Sequence, residues 1–247
     1  MHIMAWQDPR TTFGQAPVGT ASQTDVAFDA GLRSYMLKVY NYMASGVLLT
    51  GIVAMLFAGS GMAQDIMFGG GPLKWLIILS PLAIVFAMSF GQNKFSTTTL
   101  QAMFWGFATL MGLSMSTIFL VYTGASIAQT FFATAAAFLG LSLYGYTTKK
   151  DLSGWGSFLI MGVVGLLVAM VINIFLQSTM MHFVISAIGV LIFAGLTAYD
   201  TQRIKSMYAY VAGTDMVGKT VVLSALSLYL DFINMFQFLL TFMGSQD

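Results

Sequence analysis

Seven long apolar stretches, separated by short polar punctuation, dominate the chain. They cover about 39–59, 73–91, 99–122, 126–147, 155–176, 182–201 and 221–242. Each is close to the roughly 20 mainly apolar residues that cross a bilayer as a helix. Asp65 and the run Gly69, Gly70, Gly71, Pro72 part the first two, and "FGQNKFS" parts the second from the third. "YTGAS", "TTKKDLSG" and "QSTMM" supply the next three turns. Residues 1–32 are polar and lack the apolar run of a secretory signal, so they are expected to form a flexible cytoplasmic tail. Residues 33–247 then form one all-α domain of seven transmembrane helices.

Polar residues inside the stretches are not scattered. At about 100° per residue, Ser224, Ser227, Asp231 and Asn234 share one face of the seventh span, and Thr241 joins them. A polar stripe in a membrane helix must face protein or water, which puts this helix inside the bundle. The sixth span carries His182, Ser186, Gly189, Thr197 and Asp200. Asp200 stands in "GLTAYDTQRIKSMY", and the helix can continue past it while Arg203 and Lys205 reach the headgroups. Asp231 lies about ten residues into the seventh span, roughly 15 Å at 1.5 Å per residue. Thr109, Gly112 and Ser116 in the third span, and Gly162, Gly165 and Ala169 in the fifth, read as close-packing positions. Asn173 and Gln177 read as interhelical donors, and His182 as an interfacial residue.

Composition sharpens this picture. The chain of 247 residues is 57% hydrophobic and 8% charged, against about 25% charged in soluble domains. Every acid is Asp, and the absence of Cys excludes disulfides and thiolate chemistry. A net charge of +1 gives no basis for nucleic-acid binding. The basic residues set an orientation, because Lys and Arg near span ends stay cytoplasmic. With the N-terminus inside, Arg10, Arg33, Lys38, Lys94, Lys149, Lys150, Arg203, Lys205 and Lys219 fall inside and only Lys74 falls outside. Seven spans then leave the C-terminus outside.

Two carboxylates on consecutive antiparallel helices raise a specific chemistry. If Asp200 and Asp231 meet in a dry site, both cannot be ionised at once, so they share a proton and titrate as a unit. Protonated, the pair clasps the two helices. Ionised, it repels itself and attracts a cation. Calcium takes six to eight oxygen ligands. The two aspartates with Ser227, Asn234 and backbone carbonyls fall short of that, which suits a weak transit site. The bland alternative is that each acid is glue, Asp200 pairing with Arg203 and Asp231 bonding to Ser227 or an amide.

Four stretches carry a resemblance: "IFLVYTGASIAQTFF", "SLYGYTTKKDLSGWGSFL", "IGVLIFAGLTAYDTQRIKSMY" and "ALSLYLDFINMF". From about residue 30 onward the chain resembles the Bax inhibitor-1 family, in its bacterial branch. The resemblance implies two groups of three helices around a central seventh, in the inner membrane. It also implies a pH-sensitive calcium leak in which the acids of "AYDTQ" and "LYLDFIN", Asp200 and Asp231, are sensor and gate. Calcium is then the permeant ion, and no cofactor is expected. In some relatives an arginine of the second helix helps latch one aspartate; here that span has no basic residue between Lys74 and Lys94. Some bacterial relatives interact with a membrane-anchored ATP-dependent protease, and the N-terminal tail would be the contact for such a non-transporting regulator.

Enzymatic readings fit less well. Aspartyl intramembrane proteases also place two aspartates on consecutive helices, the first after Tyr, as Tyr199–Asp200 does. Their second follows Gly-x-Gly, whereas Tyr229 and Leu230 precede Asp231, and no Pro-Ala-Leu occurs. "GLSMS" does not supply the Gly-x-Ser-Gly of a rhomboid protease, and Lys219 stands at the start of the last span rather than midway, where a retinal lysine belongs.

Overall fold

The computed structural model describes residues 19–245. Nine helices follow one another among them: α1 (Gly19–Gly59), α2 (Met62–Phe68), α3 (Leu73–Gly91), α4 (Thr97–Met115), α5 (Ile118–Val121), α6 (Gly124–Thr147), α7 (Ser153–Leu176), α8 (Thr179–Val211) and α9 (Met216–Met243). Seven segments are long and apolar enough to span a bilayer, with α4 and α5 making one of them as Thr97–Val121. The protein is an all-α, multi-pass membrane protein, as the apolar pattern predicts.

Starts are set by hydroxyl caps. Ser96, Thr123 and Ser178 accept from the N–H groups of Thr99, Ser126 and Met181, opening α4, α6 and α8. The cap matters more here than in water, because unsatisfied backbone groups in hydrocarbon cost several kcal/mol.

Helix ends differ from expectation in two places. α1 begins at Gly19, so residues 19–32 of the expected tail are helical and continuous with the first span. Residues 1–18, the remainder of that tail and of the expected protease contact, lie outside the described residues. At the other end, α8 continues past Asp200, as the sequence allowed, as far as Val211, and α9 starts five residues before its predicted span, which leaves a connection of four residues. Gly213, with φ +75°, supplies the left-handed residue that reverses the chain so tightly.

Contacts sort the spans into two sets. α3 and α1 pack on α4; α6 and α7 pack on α8. α9 touches α1 and α4 of the first set and α6 and α8 of the second. Of its most apolar stretch 61% is buried, against 11–33% in the other spans. α9 also crosses the whole bundle: beyond its end, the Ser245 N–H donates to Ser126 Oγ at 2.9 Å, beside the α5–α6 turn.

Lipid is as apolar as the core, so the hydrophobic effect does not drive these helices together; close packing does. Gly112 on α4 shows this. A Cβ there would sit 2.7 Å from the Val53 Cβ and 2.8 Å from the Thr50 carbonyl oxygen on α1. A Cβ on Gly162 would crowd only the Cδ1 tip of Ile192 on α8, at 2.9 Å, a looser contact, and Gly165 faces open space and is not a packing position. Gly112→Leu should therefore lower stability by about 1–3 kcal/mol, the ordinary cost of overpacking, while Gly165→Leu leaves it within about 0.5 kcal/mol. Thermal unfolding of the two variants in one detergent checks this.

Candidate functional site

Asp200 and Asp231 both lie in the α8–α9 interface and both are buried, at 8% and 4% exposure. Asp200 stands eleven residues before the end of α8, about 16 Å along the axis. Asp231 stands fifteen residues after Met216, about 22 Å from the same end and close to the middle of α9. It is deeper than the sequence suggested, because α9 starts five residues earlier than the predicted span. The offset between the two acids is about one helical turn.

Ser227, one turn before Asp231, fills that offset. Its hydroxyl donates to Asp200 Oδ2, joining α9 to α8. Asp231 Oδ2 is buried with no hydrogen-bond partner. The two carboxyl groups are within electrostatic reach of each other, with Ser227 between them. The hydrogen bond observed across the interface is thus hydroxyl to carboxyl rather than acid to acid. Arg203, a turn along α8, is within electrostatic reach of Asp200, whose hydrogen bond goes to Ser227 instead.

The rest of the expected stripe divides. Ser224 pairs with the Tyr35 hydroxyl of α1 at 3.2 Å. Asn234 turns its amide back onto the Leu230 carbonyl of its own helix, at 2.7 Å. On α8, Ser186, Gly189 and Thr197 face inward, and His182 is exposed. Sequence reasoning missed the partners on α1. Thr50 gives its one hydroxyl proton to the Ala108 carbonyl at 2.8 Å, so the 2.6 Å contact with Tyr229 has the tyrosine as donor. Tyr229 also lies edge-on to Phe107 and Phe104. The signal available was Tyr229, the one tyrosine of that span, two residues before Asp231.

A cavity of about 290 Å³ reaches Asp200 from the α8–α9 connection. Arg203 and Lys219 line it, together with Ser224, Ser227 and Thr220, and it ends against Leu230. Ser89 of α3 and Gln92 just after it, polar but neutral, stand at the level where a basic latch partner would be sought. No group of three or more His, Cys, Asp or Glu residues stands together among the described residues. Of the two acids at this interface Asp200 lines the cavity, beside Ser227, and Asp231 does not.

Removing the donor of a buried carboxyl leaves that group unsatisfied. Ser227→Ala is expected to cost about 1–3 kcal/mol. Thr147→Ala, whose exposed hydroxyl bonds only to the Leu143 carbonyl a turn back, should stay within about 0.5 kcal/mol. Chemical or thermal unfolding in detergent distinguishes the two.

Comparison with known proteins places this architecture. The family described as "Inhibitor of apoptosis-promoting Bax1" matches residues 32–247. An uncharacterized protein of Rickettsia prowazekii is 46% identical over 92% of this chain and 96% of its own length. One from Caulobacter vibrioides is 46% identical over 91% and 93%. The inner membrane protein YbhL of Escherichia coli K12 is 42% identical over 88% and 94%. With the family matched from α1 to the C-terminus, and with relatives of this identity over nearly their whole length, the chain belongs to the Bax inhibitor-1 family.

Proposed function

We propose that this protein is a proton-regulated cation leak of the bacterial inner membrane, with calcium as the preferred ion. Asp200 and Asp231 are its sensor and its gate. The observation that carries this reading is the unpartnered Asp231 oxygen, buried at mid-span beside a second buried acid. Ionisable groups at such depth are costly, and in membrane proteins they mark ion or proton paths. The inner membrane is taken from the name of the Escherichia coli relative and from the bias of basic residues.

Shut, at most one of the two acids is ionised, and the Ser227 hydroxyl keeps α8 against α9. The cavity stops at Leu230, and Phe232, Ile233, Met235 and Phe236 fill α9 beyond it. Loss of the proton leaves two negative charges a turn apart in a medium that screens poorly, so they repel and the interface loosens. The same charges attract a cation entering past Lys219 and Arg203. A divalent ion is favoured because it balances both carboxylates, and the incomplete oxygen shell lets it leave again.

Flux should therefore rise with pH. In proteoliposomes loaded with a calcium indicator, wild type is expected to change by roughly 5- to 150-fold between acid and mildly alkaline pH, the range of an ordinary coupling free energy. Asp200→Asn and Asp231→Asn each flatten that dependence, since a single remaining carboxylate has no like charge to repel. Equal, pH-independent flux through all three proteins would contradict the proposal.

A further inference from the structure

A second cavity, of about 480 Å³, opens at the same end of the bundle, between the α6–α7 turn and the last turns of α8. Lys149, Lys150, Arg203 and Lys205 converge on it. The one acid that lines it among the described residues, Asp151, is engaged elsewhere: it accepts from the Ser153 N–H at 2.9 Å at the start of α7. Hydrogen bonds to Ser153 hold its carboxyl below the usual carboxylate range, so it stays an anion committed to that helix end.

The basic turn is fixed in place. Gln202 of α8 accepts from the Leu152 N–H and donates to the Lys150 carbonyl, both at 2.8 Å. Lys205 is held by the Tyr146 carbonyl at 2.8 Å and stands over the Tyr146 ring. Several cations on a positioned loop at a helix end suit a phosphate-bearing anion.

What adjoins the cavity decides the source of that phosphate. One turn deeper, α1 and α6 form a mostly apolar groove of about 460 Å³, lined by Met36, Leu37, Tyr40, Leu139 and Leu143, with Arg33 also on it. Tyr146 belongs to that groove and also orients Lys205. Trp155, 62% exposed at the start of α7, lies where aromatic side chains meet headgroups. We propose that this paired cavity and groove bind an acidic phospholipid of the facing leaflet, the phosphate among the four bases and an acyl chain along α1 and α6. Arg203 lines both this cavity and the one that reaches Asp200, so the test relies on the lysines, which belong to the lipid cavity alone.

Trp155 reports occupancy. The full chain with Trp6, Trp75 and Trp105 replaced by Phe is placed in bilayers of brominated phosphatidylglycerol or brominated phosphatidylcholine, and quenching is compared at equal mole fraction. The acidic lipid should quench more strongly, and Lys149→Ala and Lys150→Ala should each reduce its relative association by roughly fivefold. Lys94→Ala, at the same face but away from the cavity, leaves the preference intact. Unchanged quenching by phosphatidylcholine certifies that each variant is inserted. Equal quenching by the two lipids overturns the proposal. So does an equal loss with Lys94→Ala, which means bulk attraction. Displacement by inorganic phosphate, with chloride at matched ionic strength inert, overturns it too by making free phosphate the ligand.

Discussion

Inside a bilayer no solvent waits to satisfy a polar group, so each hydroxyl and carboxyl must find its partner in the protein. Most buried groups here do. Thr134 and Thr197 bond back to carbonyls of their own helices, and Thr201 reaches Ser142 across to α6. Among the described residues Asp231 is the exception: its Oδ2 is buried without a partner. A single uncompensated oxygen in a bundle otherwise so well satisfied is what the functional reading rests on. A chain selected only for packing has no use for a carboxyl at that depth, where asparagine or leucine would be cheaper to bury.

α9 is the element through which that oxygen can act. In the bundle interior its interhelical hydrogen bonds leave in two directions, to α1 through Ser224–Tyr35 and Tyr229–Thr50, and to α8 through Ser227–Asp200. The bonds to α1 anchor it against one set of helices, in a dry cluster with Phe104 and Phe107. The bond to α8 is the one whose acceptor titrates. A change of protonation therefore strains one side of α9 and not the other, a geometry suited to parting two sets of helices rather than to unravelling them.

Much of this was legible in the sequence. Spans were readable because crossing a bilayer demands about 20 apolar residues whatever the neighbours, and "ALSLYLDFINMF" showed its polar face by spacing alone. Helix ends were legible only in part: "GLTAYDTQRIKSMY" allowed α8 to run past Asp200, as it does, but α1 runs past its apolar segment into sequence that reads as a polar tail. Stripes gave the face of a residue but not its partner. Ser224 and Asn234 share a face with Asp231, yet one bonds to α1 and the other to its own backbone. Likewise Lys149 and Lys150 served only as orientation signals, because their convergence with Arg203 and Lys205 depends on how α6, α7 and α8 are stacked.

The most direct measurement is infrared spectroscopy of the full chain in bilayers, with isotope-labelled aspartate to isolate the carboxyl stretch. At neutral pH the account predicts a protonated aspartate band that disappears in Asp231→Asn and fades in wild type as a single transition as pH rises. A spectrum holding only ionised carboxylates at neutral pH, or one unchanged by Asp231→Asn, would contradict it.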